Sequence, residues 1–335
     1  MPARIIFPEK GKVKLEHYES PALAQDDVRV RTYYSLMSPG TEGRILYRDY
    51  EPGSHFARMF SFPQLKTGVQ AIGEVIEKGA KVDEFAAGDI VYMREAHGSE
   101  QVLPAAACSP VPAGIDQRSA CWCGLAKTAF RAAWAGAFDE ASDIVIVGAG
   151  PVGQMTLRWG AVSNARTLAI VDLSESRLQH AKRGGASLVL QGDIAECRSQ
   201  LQSINDGEGP ALVIDTTGSA AVFQPALSLC ARYGKLLLLG DTGFPSEQRL
   251  SSSVMEKGLT IQATHDSHDR DGWDQRRIDA RFFTEVQAGN FRLDGLITHE
   301  FKPSDCVEAY ALVSDTREKT MGVLFDWTLE DYSSC

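Results

Sequence analysis

The segment DIVIVGAGPVGQMTLRWGAV, residues 143–162, restricts the possible folds of this chain more than any other. An apolar run enters Gly148-Ala149-Gly150-Pro151-Val152-Gly153 directly, and a helical pattern follows at once. The pattern G-x-G-x-x-G is weak alone, but between a strand and a helix it has a mechanism. Gly148 permits a tight turn, Gly150 lets a pyrophosphate approach the backbone, and Gly153 lets the helix pack on the strand. Pro151 suits a first helical turn, where its missing N–H costs nothing. With Val152 it opens the helix whose free N–H groups would face the phosphates. The alternative is a strand–helix turn that holds no ligand.

A nucleotide fold needs partner strands, and the following sequence supplies them. Apolar runs at Ile144–Val147, Thr167–Val171, Ser187–Leu190, Leu212–Asp215, Lys235–Leu239 and Thr260–Ala263 read as strands buried on both faces. Helical patterns at Val152–Val162, Glu175–Arg183, Ile194–Ser203 and Ala221–Ala231 lie between them. The alternation predicts a doubly wound parallel sheet. Asp172 closes the second strand about 20 residues beyond the glycines, where an acid binds the adenosine ribose hydroxyls. A carboxylate there favours NAD over NADP. Arg177 lies one helical turn further on, near the expected adenine. Thr216, Gly240 and Thr242 follow two later strands on the same side of the sheet. They read as cofactor contacts or as ordinary loop chemistry.

The first part of the chain has a different rhythm. Asp27–Ser35 and Val69–Glu77 alternate apolar and polar residues, and Ile90–Met93 resumes strand character. Gly and Pro punctuate these short strands, predicting a small barrel or sandwich with little helix. A helix is expected over Ser119–Phe138. In the tail, the pattern predicts a helix ending near Gln287, a strand near Ile297, a helix at Pro303–Val313 and a strand at Val323–Trp327. The division expected is 1–117 for the β-rich part, 118–270 for the nucleotide fold, and 271–335 returning to the first part. A chain of 335 residues fits two domains.

Composition excludes some partners. Lys plus Arg is 34 against 44 Asp plus Glu, a formal net charge of −10, so the footprint of a nucleic-acid binder is missing. No apolar run reaches the roughly 18 residues of a membrane span. The N-terminus lacks a signal-peptide apolar region, so a cytoplasmic protein with a small-molecule substrate is expected. The 7 cysteines are scattered and odd in number, and no pair has Cys-x2-Cys spacing. That fits a reducing compartment.

SLMSPGTE (35–42), Gly68–Gly73 and GAKVDEFAAGDIV, together with GAGPVG, VDLSESRLQHAKRGGA, VIDTTGS and LLLLGDTG, resemble the medium-chain, zinc-type alcohol dehydrogenase-like superfamily. The resemblance covers nearly the whole chain. It implies an α/β protein with a GroES-like β-rich catalytic domain and a Rossmann domain. It also implies a homodimer through the edge strand around Leu259–Thr264. The zinc members take metal ligands from a Cys, a His-Glu pair and a later Cys or acid. Here Ser38-Pro39-Gly40 stands at the first position and Gly68-Val69-Gln70 at the second, and only Cys123 matches the third. No zinc is therefore expected. The motif S-P-G-T-E-G and the tail D-G-L-I-T-H…A-Y…F-D-W resemble a zinc-independent branch that includes bacteriochlorophyllide a dehydrogenase. The stretch Tyr47–Leu65 is insertion-like and reads as a possible substrate loop, with Tyr47, Tyr50 and His55 in it.

Without a metal, side chains must take the alcohol proton and stabilise the developing charge. By the resemblance, Thr41 falls where the hydroxyl that relays the substrate proton belongs; its alternative is a loop-capping role. Glu42 is the neighbouring acid, either a support or a base, or a surface partner of Arg44. Lys127 lies one turn after Cys123, where the family helix approaches the nicotinamide. It is either an ammonium that stabilises negative charge or part of a solvated face. His265, Asp266 and His268 have no established metal spacing. The expectation is an NAD-dependent dehydrogenase interconverting a secondary alcohol, such as a polyol or sugar derivative, and a ketone. An NADPH-dependent enone or quinone reductase and a non-catalytic dinucleotide-binding protein are the competing readings.

Overall fold

Residues 144–147 serve two cores at once. Val145 and Val147 pack on one side with Ala169, Val171, Val213 and Leu236, while Ile144 and Ile146 pack on the other with Leu168, Ile170, Leu212 and Leu237. A strand buried on both faces has no room for polar residues, which is why it reads as an unbroken apolar run. In the computed structural model, which describes residues 1–332, this strand is central in a six-stranded parallel sheet. The spatial order is Leu188–Gln191, Thr167–Asp172, Asp143–Val147, Leu212–Asp215, Lys235–Leu238 and Thr260–Ala263. The order reverses beside Asp143–Val147, so the glycine loop leaves the sheet at its topological switch point. This is the Rossmann arrangement.

The unit containing this sheet comprises Leu125–Ile278 and Ala288–Gly295. The other unit comprises Met1–Gly124, Asp279–Gln287 and the chain from Leu296 onward. Its long strand Asp27–Leu36 pairs antiparallel with Ala71–Lys78, Glu100–Pro104 and Gly322–Asp326. Ala71–Lys78 leads on through Ile90–Met93 to Cys108–Pro110, and Gly322–Asp326 pairs in parallel with Ile297–Phe301. A second sheet joins Lys14–His17, Ala3–Phe7 and Leu65–Lys66. This is the GroES-like β-rich part, with the C-terminal strands built into its main sheet.

Local structure departs from the sequence reading in several places, among them the expected helix Ile194–Ser203, which is helical only over Arg198–Gln202. The β-rich unit contains the helices Pro39–Tyr47 and His55–Met59. Gly40 and Gly43 depress the helical pattern of the first, but Pro39 starts it and Ile45 and Leu46 anchor it in the core. The expected helix over 119–138 is broken into Gln117–Ala120, capped by Asp116, and Cys123–Gly136. A short helix, Ser253–Lys257, precedes the edge strand and ends at Gly258 with φ 62°. The stretch Tyr47–Leu65 is mostly exposed but anchored in the core: Tyr50 and Ala57 are core residues and the Tyr50 and Phe60 rings stack at 5.8 Å, while Tyr47 and His55 face solvent. Six cysteines are buried free thiols, and Cys335 lies outside the described residues. Among the described residues no helix is long and apolar enough to cross a membrane.

Candidate cofactor and catalytic sites

The glycine loop is built by close contact. Gly148 has φ +98°, and a Cβ there would lie 2.7 Å from Thr216 Oγ1. A Cβ on Gly153 would lie 1.9 Å from the Gly148 carbonyl oxygen, so the helix Pro151–Val162 sits on the loop as only glycine allows. Gly150 differs from both. A Cβ there would meet only Arg177 Nη1 at 3.8 Å, and among the described residues no side chain caps the helix that Gly150 begins. The backbone is thus open where an anion would approach the helix N-terminus.

Asp172 closes its strand and ties the loop to it. One carboxylate oxygen accepts from the Ala149 N–H at 2.6 Å and the other from the Ser174 N–H at 2.8 Å. Thr216 Oγ1 lies 2.9 Å from the Val147 carbonyl oxygen and 3.0 Å from that of Gly148, so its hydroxyl braces the loop. Gly240 lies against the loop that holds Thr216, where a Cβ would come within 2.5 Å of Gly218 N. Thr242 Oγ1 accepts a weak 3.4 Å hydrogen bond from Gln248.

In the same unit, Lys127 is buried on the helix Cys123–Gly136. Its ammonium is 2.9 Å from Asp266 Oδ1 and 3.4 Å from Gln275 Oε1. One turn on, Arg131 pairs with Asp269 and donates to the Trp273 carbonyl at 2.6 Å. Two cations on one helix face thus hold the segment after the edge strand. Lys127 is therefore no part of a solvated face.

In the β-rich unit, Thr41 is half-buried in the first turn of Pro39–Tyr47, beside the fully buried Glu42. Glu42 Oε1 accepts from the Ser38 N–H at 2.7 Å. Its Oε2 accepts from Thr67 Oγ1 at 2.8 Å, from the Tyr310 hydroxyl, and pairs with His97 Nε2 at 3.1 Å. Burial pushes the Glu42 carboxyl up, but His97, the Tyr310 hydroxyl and the Ser38 amide outweigh it and hold the group below its ordinary value. Burial and the Glu42 charge together push Tyr310 well up, which keeps it a donor. Glu42 is not paired with Arg44, whose guanidinium is 3.7 Å from Asp49.

The sequence profile described as zinc-binding dehydrogenase matches residues 151–275. An uncharacterised zinc-type alcohol dehydrogenase-like protein of Escherichia coli is 22% identical, with 96% of this chain and 98% of that protein covered. An L-threonine 3-dehydrogenase of Paraburkholderia phytofirmans is 25% identical, covering 94% of this chain and 95% of its own. The solved structure of galactitol-1-phosphate dehydrogenase from Escherichia coli superposes with a TM-score of 0.82 at 16% identity, covering 97% of this chain and 99% of that one. Over most of its length the chain is similar to medium-chain, zinc-type alcohol dehydrogenase-like proteins. It is an alcohol dehydrogenase-like oxidoreductase.

Two supports of this dehydrogenase fold escaped the sequence reading. Gln154, fully buried, donates to the Ala149 carbonyl at 3.0 Å and to the Arg177 carbonyl at 2.9 Å, joining the loop to the next helix. Arg158, also buried, donates to Gln154 Oε1 at 2.9 Å and to the Arg292 carbonyl, and burial pulls its pKa down to about 10. The i, i+4 spacing of Gln154 and Arg158 was a usable signal. The Glu42 cluster offered none, because its members are up to 268 residues apart.

Proposed function

We propose that this chain is an NAD-dependent, zinc-independent dehydrogenase that interconverts a secondary alcohol and a ketone. The observation that carries the reading is the Asp172 carboxylate, held at the glycine loop by the Ala149 N–H at 2.6 Å. A carboxylate at that point suits ribose hydroxyls and repels a 2′-phosphate. Gly148, Gly150, Pro151, Val152 and Gly153 would hold the pyrophosphate, with Arg177 close to Gly150 as its counter-charge. Bound NAD supplies the hydride acceptor. The neighbouring dehydrogenases act on threonine and on galactitol phosphate, which supports a hydroxyl-rich substrate such as a polyol or sugar derivative.

Zinc does not fit this donor set. Val69 carries no ligand atom, and the Gln70 amide donates to the Leu36 carbonyl at 3.3 Å. Only Cys123 provides a zinc-type ligand at the family positions, and one thiol does not make a tetrahedral site. For the alcohol to be oxidised, its hydroxyl proton must leave by way of this chain's own side chains and pass to solvent. Thr41 is the proposed relay for that proton. Lys127 is the proposed stabiliser of the alkoxide charge; an ammonium has three donors, and Asp266 and Gln275 account for two. Glu42, enclosed by its donors, supports the Thr41 turn. We assign homodimerisation to the edge strand Thr260–Ala263, which pairs with Lys235–Leu238 on one side.

The test is a fluorescence titration with NADH and with NADPH, followed by oxidation assays over secondary alcohols and polyols with zinc analysis of the active protein. Tighter NADH binding and chelator-resistant alcohol oxidation support the reading. Preferential NADPH binding with alkene reduction replaces it by an enone reductase. Thr41→Val lowers kcat about a hundredfold if Thr41 relays the proton, and an unchanged rate removes it. Light scattering that gives a monomer removes the dimer.

A further inference from the structure

The β-rich unit contains a buried polar chain of which the proposed chemistry uses only Glu42. Trp327 Nε1 donates to Ser35 Oγ at 2.9 Å, Ser35 Oγ lies 2.7 Å from His97 Nδ1, and His97 Nε2 lies 3.1 Å from Glu42 Oε2. His97 and Ser35 are fully buried, and Glu42 and Trp327 nearly so. The direction of these bonds follows from the end groups. An indole N–H only donates and a carboxylate only accepts. The Glu42 carboxylate can only accept, so the imidazole presents Nε2–H to it, while Ser35 Oγ, which accepts from Trp327, keeps an O–H and a second lone pair to meet His97 Nδ1. The ring is fixed from other sides too. Its edge meets Phe325 with centroids 4.9 Å apart. Gly68 has φ +96°, and a Cβ there would lie 2.7 Å from His97 Cγ, so a glycine makes room for the ring.

At the far end of this chain, Glu42 reaches back to the Ser38 N–H, the first backbone donor of the helix that carries Thr41. Pro39 has no N–H, Gly40 has no side chain, and Ser38 makes no side-chain cap. The Glu42 carboxylate is the clamp, and His97 sets its orientation. We propose that His97 is a positioning residue: through Glu42 it sets the N-terminal turn of the helix Pro39–Tyr47 and with it the Thr41 hydroxyl. Its importance for turnover rests on the proposed role of Thr41, while its effect on the turn does not.

Two substitutions separate the bonds. In His97→Gln the side-chain amide reaches the position of Nε2 and keeps the donor to Glu42. In His97→Asn the amide matches Nδ1, stays at Ser35, and leaves Glu42 without this donor. The primary readout is backbone hydrogen exchange over residues 38–47, measured by mass spectrometry on the full chain. Faster exchange there in His97→Asn, restored by His97→Gln, with NADH affinity unchanged in both, is the expected result. On an alcohol that the wild type oxidises, His97→Asn then loses about tenfold in kcat with little change in KM, as a misplaced relay requires. Unchanged exchange in His97→Asn overturns the proposal, as does exchange raised over the whole unit in both variants. If exchange responds as expected but Thr41→Val turns over like wild type, the positioning stands and the role of Thr41 fails. If Thr41→Val is slow and His97→Asn leaves exchange alone, the relay stands and His97 is passive packing.

Discussion

Lys127 Nζ sits 2.9 Å from Asp266 Oδ1, and the two groups are buried together beside Gln275. The pair joins the helix Cys123–Gly136 to the residue two beyond Thr264, where the chain leaves the edge strand. Taking two charges out of water is costly, so the attraction mainly offsets desolvation, and removing one partner strands the other. Asp266→Ala should therefore destabilise the protein by about 3 kcal/mol. The double variant Lys127→Met/Asp266→Leu should recover most of the loss. Urea unfolding of the four forms of this cycle measures the coupling. Additive losses would mean that the pair is too well solvated to matter.

Gly150 and Gly153 sit in one motif but do different work. A Cβ on Gly153 collides with the Gly148 carbonyl oxygen at 1.9 Å, whereas one on Gly150 finds open space up to Arg177. Gly153→Ala should lower the melting temperature and abolish NADH binding together. Gly150→Ala should melt like wild type and still bind NADH poorly, because the added methyl occupies space that the pyrophosphate needs. Calorimetry with NADH titration on both variants checks the contrast.

Asp172 has two tasks, holding the loop through Ala149 and presenting a carboxylate at the strand end. Asp172→Asn should weaken NADH binding by about 2 kcal/mol, roughly thirtyfold, since hydrogen bonds to a charged group are the stronger kind. NADPH binding should fall less or rise, because the charge repelling a 2′-phosphate is gone. Equal losses for both cofactors would show that the carboxylate acts only on the loop.

Glu42 is held below its ordinary value despite its burial. A depressed carboxyl contributes stability that is fully present above the unfolded value, about 4.3, and that is lost as the pH falls through the lower folded value. Wild-type unfolding free energy should thus drop below about pH 4.3, with Glu42→Gln less stable at neutral pH and flatter through the acid range. Parallel curves for the two proteins would remove Glu42 as a source of the pH dependence.

The Rossmann unit was legible because its pattern is local. Strands buried on both faces appear as apolar runs, and the glycine spacing, Pro151 and Asp172 lie within 30 residues along one strand–helix–strand unit. The β-rich unit was harder to read. Lys14–His17 and Leu65–Lys66 are too short for a period-2 pattern, and the helix Pro39–Tyr47 holds two glycines that mask it. Its amphipathic side shows only against a core that includes Tyr310 and Phe325.

The sequence by itself therefore determined the class of fold and the glycine loop. Each follows from short-range pattern, where the period of burial and the steric needs of a turn are written into neighbouring residues. Tertiary structure decided which charges are paired and which donors are spent. It placed Lys127 on Asp266 and enclosed Glu42 with His97, Thr67 and Tyr310. Those assignments depend on groups brought together from distant segments under a low dielectric, where an unmet donor or charge is expensive. No spacing along the chain records that requirement, so only the folded arrangement expresses it.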